Sequence, residues 1–165
     1  MWNEQIIMML LEGIKDTLYM TLTSTLIGYV IGLPMGILLT VTDKDGIHPN
    51  AAVYKVLDVI ANLIRSVPFL ILLIVLIPFT RFLIGRSYGP TATIVPLVIA
   101  AAPYIARMVE SSLKEVDAGV IEAARSMGAS NFTIVTKVML VEARTSLIVG
   151  ATISLGTILG YSAMA

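Results

Sequence analysis

Stretches without any charged residue constrain the fold of this chain more than any other feature. Three of them cover residues 17–42, 87–106 and 145–165, and a shorter one covers 66–80. A helix needs roughly 20 apolar residues to cross a hydrocarbon core. Charged residues make up 13% of the chain, whereas ordinary globular proteins carry about 25%. We therefore predict an all-α membrane protein, with a single transmembrane domain over residues 1–165. Its four predicted spans lie at about 17–41, 59–80, 88–106 and 145–165.

The second predicted span is the least regular of the four. The interval between Arg65 and Arg81 is short for a crossing, so we expect the helix to begin nearer Val59. Arg65 would then lie close to the membrane edge and extend its guanidinium to the headgroups. Pro68 and Pro78 lie inside this segment, and membrane helices tolerate proline where neighbouring groups satisfy the freed carbonyls. The prolines either shape packing, which is the simpler interpretation, or set a kink that faces a translocation path.

Glycines recur at intervals of four in two of the predicted spans. Gly28, Gly32 and Gly36 share one face of the first span, and Gly156 and Gly160 repeat the spacing in the fourth. Small residues at this spacing let another helix approach closely. For the first set, packing inside one subunit is the simpler interpretation. A subunit interface or the lining of a path is the alternative.

The composition excludes several classes of function. The chain has no cysteine, which excludes disulfides, thiolate metal sites and cysteine nucleophiles. Its one histidine, His48, lies in a turn-like run of glycine, proline and asparagine, where a solvated side chain is the usual role. Zero net charge without a basic run argues against nucleic-acid binding. No constellation of intramembrane Asp, His or Ser supports a membrane-embedded enzyme.

The longest charge-bearing interval, residues 107–144, predicts two short helices with a hinge between them. Val116, Val120, Ala123 or Ala124, and Met127 follow helical spacing and form one apolar stripe. Gly128 is suited to end the first helix, because glycine takes the left-handed conformation without a steric penalty. Ser130 or Asn131 can cap the second. The apolar positions of that second helix are Phe132, Val135 and Met139. We call residues 116–139 the elbow, a shape suited to docking outside the bilayer.

The basic residues predict the orientation of the chain. With the elbow in the cytoplasm, alternation of the spans leaves only Lys15, Arg81 and Arg86 outside, and the other eight of the eleven Lys and Arg inside. This arrangement obeys the preference of basic residues for the cytoplasmic side. The N-terminus is therefore predicted to face out.

The elbow and its flanking segments resemble the permease subunits of ABC importers. Glu122-Ala123-Ala124, followed by Gly128 and Ile134, is similar to the "EAA" cytoplasmic loop of that family. Four further segments resemble the methionine-uptake permeases in particular: RSVPF at 65–69, IPFTR at 77–81, APYIARMVE at 102–110 and GYSAM at 160–164. The similarity covers nearly the whole chain from about Thr17.

This resemblance implies a type I ABC-importer permease fold in the bacterial inner membrane, with residues 107–144 as the cytoplasmic coupling loop. Its coupling residues would be Glu122, Ala123, Ala124, Gly128 and Ile134. The chain would act as a homodimer with two ATPase subunits inside and a substrate-binding protein outside. It would hold no cofactor, since ATP and Mg²⁺ are used by the partner and this chain has no phosphate-binding loop. Its substrate would be methionine, another amino acid or a small polar solute; a non-transporting membrane scaffold is the alternative.

This chain departs from the family pattern at two places, and the resemblance also indicates a candidate gate. The family motif usually ends in Leu-Pro, whereas this chain has Leu140-Val141, so the helix break expected there is missing. Family members carry five spans, so the C-terminus looks truncated. The resemblance implies that Met164 and Ser162 lie near the translocation path. Pro68 would also lie near this path if the kink that it sets faces the path. Met164 either helps block the path at rest or packs against the next helix.

Overall fold

Helices form almost all of the structure, a computed structural model that describes residues 4–165. This confirms the predicted all-α fold. In chain order the helices are α1 (Glu4–Thr42), α2 (Ala51–Ser66), α3 (Phe69–Val75), α4 (Ile77–Ile84), α5 (Pro90–Lys114), α6 (Ala118–Ser126), α7 (Asn131–Thr133), a π-helix (Ile134–Met139), α8 (Leu140–Glu142) and α9 (Arg144–Ser162).

Three helices are long and apolar enough to span a membrane. They are α1, α5 and α9, and the bent pair α2–α3 gives a fourth span if the two halves cross together. The first and third are longer than predicted. Helix α1 already begins at Glu4, and its 39 residues reach about 58 Å, well beyond a core of roughly 30 Å. Helix α5 continues past the predicted end at 106 to Lys114, so the first part of the predicted coupling loop is helix.

The prediction of one continuous span over 59–80 is wrong. Helix α2 begins at Ala51, where the Asn50 side chain accepts a hydrogen bond from the Val53 N–H, and it ends at Ser66. Val67 is extended, the conformation that a following proline imposes. The chain then turns by 101° into α3. Pro68 therefore does more than adjust packing, because it marks a break between two helices.

Helix α5 forms the centre of the fold and packs against α1, α2 and α9. One of its faces is an almost fully buried stripe with a residue every fourth position: Leu97, Ala101, Ile105, Val109 and Leu113. Residues four apart form one ridge of a helix surface. Ala101, Ile105 and Val109 of this ridge lie against the predicted glycine face of α1.

Three of the glycines of α1, Gly28, Gly32 and Gly36, bring its backbone against α5. A Cβ on Gly32 would lie 2.6 Å from the Ala102 carbonyl oxygen, and one on Gly36 would lie 2.5 Å from the Ala106 carbonyl oxygen. Real Cβ atoms do not come so close to a backbone that cannot move aside. Within the described residues, this glycine face is therefore a helix contact inside one chain.

Candidate functional site

Three local signals in the sequence shape the elbow. Helix α6 begins after Asp117, whose carboxylate accepts a hydrogen bond from the Gly119 N–H at 2.7 Å. The chain reverses at Gly128, where φ is 80°. Ser130 then caps the next helix, since its hydroxyl accepts a hydrogen bond from the Thr133 N–H. The helix end and the cap therefore fall where the sequence places them.

Of the residues that match the loop motif, three are exposed, which we call the outward residues, and two are buried, which we call the inward pair. Glu122, Ala123 and Gly128 are exposed. Ala124 is 5% exposed and Ile134 is fully buried, and both belong to the main hydrophobic core. The inward pair can hold the elbow on the body of the chain, while the outward residues are free to contact another molecule.

Large apolar side chains lie exposed on both sides of Gly128. Met127 is 82% exposed and Phe132 is 77% exposed, and Val120 adds to the same elbow. The predicted stripe is thus not one buried face. Ala124 and the partly buried Val116 face the chain, whereas Val120 and Met127 do not. Exposed apolar side chains grouped in this way are typical of an interaction surface.

The second half of the elbow is not the regular α-helix that the sequence predicts. After one turn of α7, residues Ile134–Met139 form a π-helix, which holds more residues per turn. As a result Ile134 and Met139 are buried together, while Phe132 points away. No single residue in the sequence marks this change of helix type.

A helix break does occur near the position where the family proline is missing. Helix α8 ends at Glu142, and Ala143 adopts a turn conformation before α9 begins at Arg144. Val141 itself lies inside α8, so the helix is not broken at that position, and the interruption comes two residues later. Buried Ala143 takes the turn without a proline.

The elbow is tied to the connection between α1 and α2. An Arg125 guanidinium nitrogen donates a hydrogen bond to the Ile47 carbonyl oxygen at 2.8 Å. Ile121 and Val116 line a groove of about 410 Å³ whose other side is formed by Asp43 and Lys114. Movement of the elbow would therefore act on the end of α1 as well as on α5.

A chain of ion pairs links α1, α2 and α5 at this end of the molecule. Lys114 Nζ lies 2.7 Å from Asp43 and 2.8 Å from Glu110, and Arg107 lies 2.7 Å from Glu110. Arg107 also pairs with Asp58 of α2. Glu110 is 5% exposed and shares its two oxygens between the two cations. Because the pairs join three elements, they keep the helix ends in register.

Sequence reasoning found only the local part of this network. The i+3 and i+4 spacing of Arg107, Glu110 and Lys114 allows pairing on one helix, whereas nothing local indicates the partners Asp43 and Asp58. Both acids lie in the polar segment 43–58, which alternation of the spans places on the same side as Lys114. The hydrogen bond from Lys114 lowers the pKa of the Asp43 carboxyl below its ordinary value.

The glycine pair of α9 is not in a close helix contact within the described chain. A Cβ added to Gly156 or to Gly160 would meet no atom within 4 Å. No helix of the described chain packs on these two residues, so their predicted packing role stays a prediction. The face that contains them is open to another molecule.

Two of the candidate gate residues, Pro68 and Ser162, each neighbour in the sequence one of two stacked rings. Pro68 precedes Phe69, whose ring stacks on Tyr161 at 4.7 Å between centroids. Ser162 is buried and lies 3.4 Å from the Thr21 hydroxyl of α1. Met164 is 56% exposed just beyond the end of α9. The gate itself stays a prediction.

The fold and the exposed elbow define a multi-pass membrane protein with a surface for a partner. Residues 7–165 match the family described as the binding-protein-dependent transport system inner membrane component. The chain belongs to this family and has the type I permease fold.

Its relatives include permeases with a named substrate. The chain is 51% identical over 162 residues to the D-methionine transport system permease protein MetI of Salmonella typhimurium, and 51% identical to that of Escherichia coli K12. Each alignment covers 98% of this chain and 75% of the relative.

Solved structures show the same arrangement. A chain of the MetNI methionine ABC transporter in inward-facing conformations matches with a TM-score of 0.96 at 50% identity, covering 99% of this chain and 76% of that one. A chain of an amino acid ABC transporter with histidines matches with a TM-score of 0.70 at 25% identity, covering 90% of this chain and 66% of that one.

Proposed function

We propose that this chain is the permease subunit of a bacterial ABC importer that moves methionine into the cytoplasm. The observation that carries the proposal is the match to the MetNI methionine ABC transporter, with a TM-score of 0.96 at 50% identity over nearly the whole chain. The curated relatives at 51% identity are D-methionine permeases, which supports the same substrate.

In this proposal ATP hydrolysis occurs on a separate ATPase subunit and reaches the permease through the elbow. The exposed face with Glu122, Met127 and Phe132 docks on the ATPase. The buried residues Ala124 and Ile134 pass its movement to the core. Two copies of the chain act with two ATPase subunits, and ATP and Mg²⁺ belong to those partners. No cofactor is assigned to the permease itself.

The proposed orientation places the elbow in the cytoplasm and the N-terminus outside the inner membrane. It rests on the basic residues, eight of which then lie inside. A substrate-binding protein delivers methionine from the outer side. Closure of the ATPase pair would switch the helices between outward- and inward-facing packings.

The substrate is tested with vesicles that contain this chain, its ATPase and an added binding protein. Uptake of radiolabelled L-methionine is measured with an excess of unlabelled methionine, histidine, glutamine or arginine as competitor. We expect only methionine and its close analogues to compete. Competition by histidine instead would assign the chain to a different amino acid.

A second substrate class has one observation in its favour. The amino acid ABC transporter with histidines shares the fold at lower identity. The fold alone is therefore compatible with transport of other amino acids. The panel of competitors distinguishes methionine from these other substrates. Assembly without uptake of any of them would favour a non-transporting scaffold.

A further inference from the structure

A small cavity lies directly at the break between α2 and α3. Its volume is about 160 Å³, and its walls come from α2, α3, α5 and α9. Phe69 and Tyr161 stack on one side with their planes 7° apart. Tyr104 of α5 and Arg65 of α2 lie on another side. The cavity thus combines aromatic faces with one cation.

Arg65 lies beside this cavity, one residue before the end of α2. It follows Asp58 by two turns of α2, about 10 Å along the helix axis. Its guanidinium carbon lies 6.0 Å from the centre of the Tyr104 ring, so the side chain folds toward the cavity wall. Its extension to the headgroups stays a prediction.

Arg65 differs from Arg107 in its partners. Arg107 pairs with Asp58 and Glu110, whereas the ion pairs found within residues 4–165 do not include Arg65. Its interaction with Tyr104 is with a π face and leaves the guanidinium N–H donors available. A guanidinium with free donors matches the two oxygens of a carboxylate. The apolar walls, which include Leu72 and Ala100, suit an uncharged side chain beside it.

We propose that Arg65 binds the carboxylate of the transported amino acid, while the aromatic and apolar wall around Phe69, Tyr104 and Tyr161 receives its side chain. This inference rests on the proposed function. It assigns to Arg65 a role in recognition, separate from the coupling role of the elbow. The walls come from four helices, so any shift of α2 against α5 would open or close the site.

The test compares ligands with and without the carboxylate charge. Binding of radiolabelled L-methionine is measured on the complex of this chain with its ATPase, in nanodiscs and without binding protein. Unlabelled L-methionine and methioninamide serve as competitors. The variants are Arg65→Gln and Arg65→Lys, and Arg86→Gln in the exposed loop before α5 is the matched control. Recovery of the assembled complex is measured for each variant.

We expect the wild-type complex and Arg86→Gln to prefer methionine over methioninamide. Arg65→Gln should lose about 10- to 100-fold in methionine affinity, the range for a hydrogen bond to a charged group, and should bind both ligands alike. Arg65→Lys should keep part of the preference. A purely structural role of Arg65 would lower the affinities for methionine and for methioninamide together. The ratio of these two affinities is therefore the deciding quantity. If Arg65→Gln does not assemble, the ratio in Arg65→Lys decides.

Three results would overturn the inference. They are an unchanged ligand ratio in the Arg65 variants, no methionine binding by the wild-type complex, and a loss confined to nanodiscs with anionic phosphatidylglycerol. The last would assign Arg65 to a lipid headgroup. Failure of the proposed function is distinct, because wild-type vesicles would then show no ATP-driven methionine uptake at all.

Discussion

At the residue scale, glycines have two different roles in this fold. The α1–α5 contact depends on Gly32 and Gly36, where a side chain would enter the backbone of α5. Gly128 has a different role, because its surroundings are open and only its positive φ requires glycine. Gly32 and Gly36 therefore set the distance between α1 and α5, whereas Gly128 sets the direction of the chain at the elbow.

Gly32→Leu should strongly reduce the amount of assembled complex recovered from detergent. The new Cβ would lie 2.6 Å from the Ala102 carbonyl oxygen and 2.8 Å from Ile105, so α1 and α5 must separate. Overpacking of this kind costs typically about 1–3 kcal/mol, and more where backbone must move. Gly13→Leu in the same helix is the control, since a Cβ there meets no atom within 4 Å. Equal recovery of both variants would mean that the glycine face does not hold the fold.

Gly128→Val should uncouple the elbow without preventing the chain from folding. A β-branched residue resists the φ of 80° at this position, at a cost of about 1–2 kcal/mol. The readouts are capture of the ATPase by the permease and uptake of methionine. Gly128→Asn should retain more of both, because asparagine tolerates this conformation. An asparagine variant as poor as the valine one would indicate that the turn is not the cause.

At the element scale, polar contacts connect helices that the sequence separates widely. Asp43, Asp58 and Glu110 belong to three different elements and meet on two cations of α5. The lowered pKa of Asp43 means that its pair with Lys114 stabilises the fold above about pH 4. This contribution is lost as the pH falls through the depressed folded value.

Glu110→Ala should lower the thermal stability of the solubilised chain markedly. It leaves Arg107 and Lys114 facing each other without their shared carboxylate. Loss of one partner of a buried pair costs about 3–5 kcal/mol, and we expect the lower end because the Lys114 side chain is 43% exposed. The melting temperature is the measurement, with Glu12→Ala on exposed α1 as the control. A melting temperature equal to that of the control would contradict the role of the network.

Glu122→Lys should weaken association with the ATPase. Glu122 is exposed beside Met127 and Phe132, so a reversed charge would enter the proposed interface without a partner. If the position is desolvated in the complex, the loss is roughly 2–5 kcal/mol. Capture of the ATPase on immobilised permease measures it. Glu12→Lys makes the same charge change far from the elbow, and similar capture by both variants would contradict the docking surface.

At the scale of the whole molecule, the sequence predicts the fold class better than it predicts where the helices are interrupted. The uncharged stretches predict three of the long helices, and glycine spacing indicates the face by which α1 contacts α5. The break at Val67 was missed because a hydropathy pattern averages over the extended residue that a proline imposes. The ion pairs of Asp43 and Asp58 and the π-helix depend on tertiary contacts, which local periodicity does not contain. The glycine spacing at Gly156 and Gly160 shows a different limit, because the motif does not say which helix would pack on it.

The candidate gate can be tested on the assembled complex with Met164→Ala. Methionine is flexible and unbranched, so it can fill an irregular path and withdraw from it. We predict a higher basal ATPase activity or leak of substrate, with unchanged assembly. Lower assembly with background leak would assign Met164 to packing.

We propose that ATP drives methionine uptake through the elbow. The most direct measurement records methionine uptake and ATP hydrolysis in the same vesicles, with this chain, its ATPase and the binding protein. We predict uptake that requires ATP in the wild type, and loss of that uptake in Gly128→Val even when the ATPase still hydrolyses ATP. Uptake that proceeds without ATP, or that persists unchanged in Gly128→Val, would contradict it.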